Sequence, residues 1–305
     1  MTPLRIGTRG SALALTQARV VADALGEGAE LVPIRTSGDE GGPQAHAGDG
    51  GTDKSRFVRE IERALLDREI DLAVHSAKDV PGEIPDGLTI VGVPARADPA
   101  DAWIGKAGSL AAVPEGARVG TSSLRRRAQL LTLRPDLEIV ELHGNVDTRL
   151  RRLGEGELDG IVLAAAGLAR LGREDEIAFR FSLLALTPSP GQGALALQAR
   201  IDDADTSARA AAITDREALI ELTAERAVVA GLDASCQTPV GAFARHREGS
   251  LEILGFAGLP DGSEHVAEAV EGDPGQPVAL GEALIERMVA AGAPELLARA
   301  EEFVG

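Results

Sequence analysis

The pattern of apolar and polar positions opens on a β-turn-α unit. Leu4 to Thr8 alternates like a strand, Ser11 stands where a helix cap is needed, and Ala12, Leu15, Ala18, Val21 and Ala22 recur at helical spacing up to Leu25. A second strand is predicted over Glu30 to Thr36. The Gly-rich stretch from Ser37 to Thr52 has no period and reads as a mobile loop. Helical spacing resumes at Ser55 or Arg56 through Phe57, Ile61, Ala64 and Leu65, and Asp71 to His75 is a short apolar strand. Strands alternating with helices predict a mostly parallel sheet.

The same grammar restarts after Pro94 and Pro99. Ala117 to Gly120, Glu138 to Leu142 and Gly160 to Leu163 read as strands, with helices over Ser122 to Leu133 and Val146 to Leu153. From Arg216 the pattern changes to one long helix up to Ala230, then strands at Val240 to Arg245, Leu251 to Ala257 and Val266 to Val270, then two helices after Pro277 and Pro294. Grouped strands followed by grouped helices indicate a small α+β domain. Two α/β units leave a crevice at the carboxyl ends of their strands, where open α/β sheets bind ligands.

The 305 residues allow two to three domains at roughly 150 residues each. With 44% apolar residues and a single cysteine, Cys236, the chain is neither disordered nor stapled by internal disulfides. No apolar run approaches the roughly 18 residues that span a bilayer, which leads us to expect a cytoplasmic protein without a membrane partner.

The net charge of -17 argues against nucleic acid as a partner. It is unevenly spread, at -5 over residues 1–94, 0 over 95–193 and -12 over 194–305. An anionic small molecule therefore belongs against the first two segments. Only Lys54, Lys78 and Lys106 are lysines beside 28 arginines, which fits compositional bias and also forked recognition of carboxylates.

Four polar segments fall at strand ends or helix starts: Thr8 to Ser11, His75 to Asp79, Gly120 to Arg127 and His143 to Arg149. The third puts small hydroxylated residues at a helix N-terminus, where backbone N–H groups and the helix dipole favour an anion, and follows them with three arginines. At about 100° per residue, Arg125 and Arg126 can face the crevice and Arg127 cannot. A solvated basic helix start would leave the same trace. Lys78 and Asp79 sit on a turn before Pro81, where Asp79 either braces the backbone or meets a developing cation. Cys236 lies in a loop between helix and strand, as an inert thiol or one used chemically. No two histidines have ligand spacing, so no metal site is expected.

The order Thr8-Arg-Gly-Ser11, His75-Ser-Ala-Lys-Asp-Val-Pro81, Gly120-Thr-Ser-Ser-Leu-Arg-Arg126, Gly144-Asn-Val-Asp-Thr-Arg149, Ala166-Gly-Leu-Ala-Arg-Leu-Gly172, Gly191-Gln-Gly-Ala194 and the Cys236 loop resembles the porphobilinogen deaminase (hydroxymethylbilane synthase) family. The likeness runs over essentially the whole chain. It implies two periplasmic-binding-protein-like α/β domains around a cleft plus a small α+β C-terminal domain. Their bounds would be 1–94 with a returning segment 194–214, then 95–193, then 215–305.

The resemblance further implies a monomeric transferase of tetrapyrrole and haem biosynthesis. It would join four porphobilinogen units head to tail with loss of ammonia to give hydroxymethylbilane, on a dipyrromethane cofactor bound through a thioether to Cys236. Asp79, Lys78 and Arg9 would be catalytic, Asp79 opposing the positive charge of an azafulvene cation. Ser11, Lys78, Asp79, Thr121, Ser123, Arg125, Arg126, Gly144 and Arg149 would hold the cofactor. Arg9, Gln17, Arg149, Arg170 and Gln192 would hold substrate.

Two positions depart from the family pattern. His143 stands where an Arg usually precedes Gly-Asn-Val, and Gly50 stands where the loop usually carries a Lys, although Lys54 and Phe57 are kept. Both changes imply slower turnover or weaker binding. Competing readings are a non-catalytic two-lobed binder of an organic anion, and a divergent paralogue that makes another linear pyrrole chain.

Overall fold

The computed structural model describes residues 3–34, 53–232 and 238–303, with the backbone alone for 53–57. The chain begins β1 (Leu4–Arg9), α1 (Ala12–Leu25), β2 (Ala29–Ile34), α2 (Asp53–Leu66), β3 (Leu72–Ser76) and β4 (Leu88–Gly92). Next come β5 (Asp101–Gly105), β6 (Arg118–Gly120), α3 (Leu124–Leu133), β7 (Glu138–Val140), α4 (Val146–Gly154), β8 (Gly160–Ala164), α5 (Ala165–Arg170) and β9 (Phe179–Arg180). It ends with β10 (Leu195–Arg200), α6 (Ala204–Ala212), α7 (Arg216–Gly231), β11 (Val240–Arg247), β12 (Ser250–Gly258), β13 (His265–Gly272), α8 (Pro277–Ala290) and α9 (Ala293–Glu302). These elements form two compact units, 1–97 with 194–219 and 98–193 with 220–305.

The first unit is a five-stranded sheet in the order β2-β1-β3-β10-β4. β1 runs parallel to β2 and β3, whereas β10 runs antiparallel to both β3 and β4. Alternating side chains cover both faces. Ile6, Leu72 and Leu197 pack on Val21 of α1 and Ala210 of α6, while Ala73 and Leu88 pack on Ile61 and Leu65 of α2. All six residues of β10 are buried, as an internal strand requires.

The second unit repeats the design in the order β7-β6-β8-β5-β9. β6 is parallel to β7 and β8, and β5 is antiparallel to β8 and β9. One face buries Ile104, Ile161 and Leu163 against Leu150 and Leu168, and the other buries Trp103, Val119 and Val162 against Leu130. Gly160 is required here, because a Cβ at that position would lie 2.1 Å from Cζ2 of Trp103. The same unit carries a three-stranded antiparallel sheet, β11-β12-β13, with its own core of Val228, Ala242, Ile253, Leu284 and Met288.

The class is therefore α/β with a small α+β part. The expected mostly parallel arrangement holds for β1 to β3 and for β6 to β8. It fails where a reversed strand enters each sheet, β10 in one and β5 in the other. Both reversed strands are short and carry no period that records direction, which is set by partners remote in the chain. No helix among the described residues is long and apolar enough to cross a membrane.

Candidate active site

In the first unit the ends of β1 and β3 meet the start of α1. Arg9 closes β1, and Ser11 caps α1 by accepting the Ala14 N–H at 3.3 Å. Gln17 is buried one turn further on. Beyond β3 the chain winds one tight 3-10 turn, Ala77–Asp79, in place of an open turn, and Pro81 prevents it from continuing. Lys78 and Asp79 thus leave the end of an interior strand. Arg9, Ser11, Gln17, His75, Lys78 and Asp79 all line one pocket of this unit.

Behind that pocket lies a buried polar chain that sequence reasoning missed. Nε2 of His75 is 2.9 Å from Oε1 of Gln198, and Nε2 of Gln198 donates to Oε1 of Glu62 at 2.9 Å. Burial drives the imidazole pKa down to about 4, outweighing the upward pull of Gln198 and of Asp79. The signal was present, in a histidine and a glutamine inside strands that otherwise read as core, Leu72–Ser76 and Leu195–Arg200.

In the second unit, the N-terminus of α3 is already partly satisfied. Oγ1 of Thr121 accepts from the Ser123 N–H at 3.2 Å, and Oγ of Ser123 accepts from the Arg126 N–H at 3.4 Å. Arg125 and Arg126 fold inward and are only 4% and 6% exposed. Nη1 of Arg125 lies 2.8 Å from Oδ2 of Asp101, while Nε and Nη2 of Arg126 reach Oδ1 at 2.9 and 2.8 Å. Arg125 also donates to the Thr187 carbonyl and Arg126 to that of Val162. Arg127 instead donates to the Pro260 carbonyl at 3.0 Å.

Asp101 also escaped the sequence reading. Its mark was an acid opening an entirely apolar strand, which demands cationic partners. Burial by itself would raise its pKa, but the two guanidinium groups hold it well below the ordinary carboxylate range. Gln192 completes the shell, donating to Oδ1 of Asp101 at 3.0 Å and to the Pro99 carbonyl at 2.7 Å. The loop bearing Gln192 is braced by the buried Glu225 of α7, which accepts from the Gly191 N–H at 2.6 Å and the Ala244 N–H at 2.8 Å.

Arg149 and Arg170 complete the basic set. Nε of Arg149 donates to the carbonyl of Gly144 at 2.9 Å, and that glycine sits at φ 110°, where other residues are strained. Burial and the neighbouring Arg126 lower the Arg149 pKa to about 10, and burial does the same to Arg170. Arg170 donates to the Gly193 carbonyl at 2.7 Å. Among the described residues, neither guanidinium meets a carboxylate. One carboxylate, that of Asp101, thus faces two arginines while two more half-buried arginines have none.

His143 is exposed and its Nε2 lies 2.7 Å from Oε1 of Glu141. Cys236, Gly50, His46 and the loop expected over Ser37 to Thr52 lie outside the described residues, as does the side chain of Lys54.

The class these features define is an α/β protein with a pair of buried arginines at the start of a helix in its second sheet unit. Family models for the cofactor-binding domain and the C-terminal domain of porphobilinogen deaminase match residues 4–208 and 219–290. The chain belongs to the porphobilinogen deaminase family. It is 46% identical to a porphobilinogen deaminase of Thermus thermophilus over 96% of this chain and 98% of that protein. One from Deinococcus radiodurans is 44% identical over 99% and 100%. A periplasmic binding protein of Salmonella typhimurium with high arginine specificity is 14% identical, covering 72% of this chain and 94% of that one at a TM-score of 0.39, a likeness too slight to bear on function. Family membership makes the chain a transferase with a dipyrromethane cofactor-binding domain.

Proposed function

We propose that this chain joins four porphobilinogen units head to tail, with loss of one ammonia per unit, to give hydroxymethylbilane. One observation carries the reading beyond the family match. Arg149 and Arg170 are half-buried cations without a carboxylate partner among the described residues, and Arg125 and Arg126 share one. Such a surplus is unfavourable unless a polyacid meets it, and each pyrrole ring of this chemistry brings an acetate and a propionate. The residues present therefore fit a dipyrromethane cofactor.

When bound, that cofactor supplies the nucleophilic pyrrole to which the substrate ring is joined. Cys236 anchors it through a thioether. Arg125, Arg126 and Arg149 hold its carboxylates, with Ser11, Lys78, Thr121, Ser123 and Gly144 completing the contacts. Arg9, Gln17, Arg149, Arg170 and Gln192 orient porphobilinogen. Asp79, at the tip of the turn after β3, opposes positive charge on the pyrrole nitrogens as the amine leaves, and Lys78 and Arg9 keep the substrate carboxylates in place.

We also propose that residues 215–305 act as a separate cofactor-carrying domain, that 194–214 return to the first domain, and that the protein works as a cytoplasmic monomer. Cys236→Ser tests the assignment. Intact mass should show the native protein heavier than its sequence by two linked pyrrole units, and the variant unmodified and without ammonia release from porphobilinogen. A native protein that binds porphobilinogen at its sequence mass and releases no ammonia would instead be a binder.

A further inference from the structure

His75 lies beside the catalytic turn, yet no role above depends on it. It projects from β3 onto the same face as Gln198 of β10, since Ala196 stands opposite His75 and Gln198 opposite Ala73 in the antiparallel register. Glu62 of α2 closes over that face and reaches Gln198. The direction of the Gln198 amide follows from chemistry. While Glu62 is ionised it only accepts, so the NH2 of Gln198 points at it and the carbonyl oxygen of Gln198 points at His75, although burial raises the Glu62 pKa against the pull of Gln198 and Arg59. A carbonyl also only accepts, so Nε2 of His75 carries the proton and Nδ1 does not.

We propose that Glu62 and Gln198 make His75 a positioning residue for Asp79, holding its buried, neutral imidazole in the Nε2–H tautomer beside the Asp79 carboxylate. The charges around the ring show why this matters. Asp79 and Lys78 come from the turn after β3, Arg9 from β1, and Glu62 with Arg59 from α2. Asp79 favours an imidazolium, and an imidazolium there would offset the negative charge Asp79 presents to substrate. Burial opposes that protonation, while the glutamine fixes which edge of the neutral ring faces inward. The inference rests on the role proposed for Asp79.

The test uses the cofactor-loaded protein with 15N-labelled histidine, His75 being assigned by the signal lost in His75→Gln. Native His75 should show the neutral Nε2–H pattern from pH 8 down to pH 5. In Glu62→Gln nothing forces the Gln198 amide to keep its direction, so the Nδ1–H tautomer should appear. In Gln198→Glu a carboxyl group that shares one proton with Glu62 faces Nε2 and should make the ring cationic at pH 7. In that variant kcat should fall at least about tenfold at pH 7 with KM within about twofold, and recover as rising pH discharges the ring.

Native His75 protonated on Nδ1, or titrating near pH 6.5, overturns the inference. So does a cationic His75 in Gln198→Glu with native kcat at every pH. These outcomes are separate from failure of the Asp79 reading, which would appear as undiminished turnover in Asp79→Asn with His75 still in its Nε2–H form.

Discussion

Arg126 closes both Nε and Nη2 on one oxygen of Asp101, at 2.9 and 2.8 Å, while Arg125 takes the other oxygen at 2.8 Å. The carboxylate is inaccessible to solvent and both guanidinium groups nearly so. Two cations locked on one anion leave a net positive charge at fixed positions, so an incoming carboxylate meets groups that are already oriented.

Replacing Asp101 by Asn should therefore be severe. It keeps the shape and removes the one carboxylate that the described residues set against the two arginines, and breaking a buried pair in this way costs about 3–5 kcal/mol. Because the folded carboxyl group is held below its unfolded value, its contribution is complete above the unfolded pKa and disappears as pH falls through the folded one. Urea unfolding from pH 7 to pH 2 should show native stability declining below about pH 4. The variant should start lower and lack that component of the decline.

How much of this could be read beforehand depends on the range of the interaction involved. Local pattern located α1, α3 and α4 and the polar turns beside them, because caps such as Ser11 and Asn145 and helical spacing act within a few residues. Strand β10 escaped notice, since Leu195–Arg200 has no alternation and pairs with strands more than 100 residues earlier. The same limit hid Asp101 and Glu62. Spacing put Arg125 and Arg126 on the crevice side, whereas the structure turns both onto an acid on β5, and spacing did not reveal that Thr121 and Ser123 already satisfy part of the α3 terminus.

Arg149 should trade stability for binding. Burial and the neighbouring Arg126 disfavour its charge, and no described carboxylate relieves it. Arg149→Met should stabilise the cofactor-free protein by about 1–2 kcal/mol, as removal of an uncompensated half-buried cation does. The same change should weaken cofactor loading, seen as a smaller holo fraction by intact mass. Arg149→Lys should not restore loading, because an ammonium group cannot fork onto a carboxylate. A less stable Arg149→Met protein would show that the arginine acts as a structural strut.

Asp79→Asn keeps the size of the side chain at the end of the 3-10 turn and removes its charge. If Asp79 opposes positive charge as ammonia leaves, turnover should fall by about 10²–10³, with KM little changed and the fold intact by circular dichroism. A loss confined to KM would place Asp79 in substrate binding alone.

His143 bears on speed. It is exposed beside Glu141, immediately before Gly144, the residue whose carbonyl holds Arg149. An imidazole there offers a single donor toward a ligand, and Glu141 competes for it. His143→Arg would offer substrate or cofactor carboxylates a permanently charged fork worth about 1.5 kcal/mol at such an exposed position, the low end of the range for charged hydrogen bonds. Steady-state assays between pH 6 and pH 9 should then show KM for porphobilinogen lower by about tenfold. Kinetics that match the native enzyme across that range would mean that position 143 does not meet the ligand.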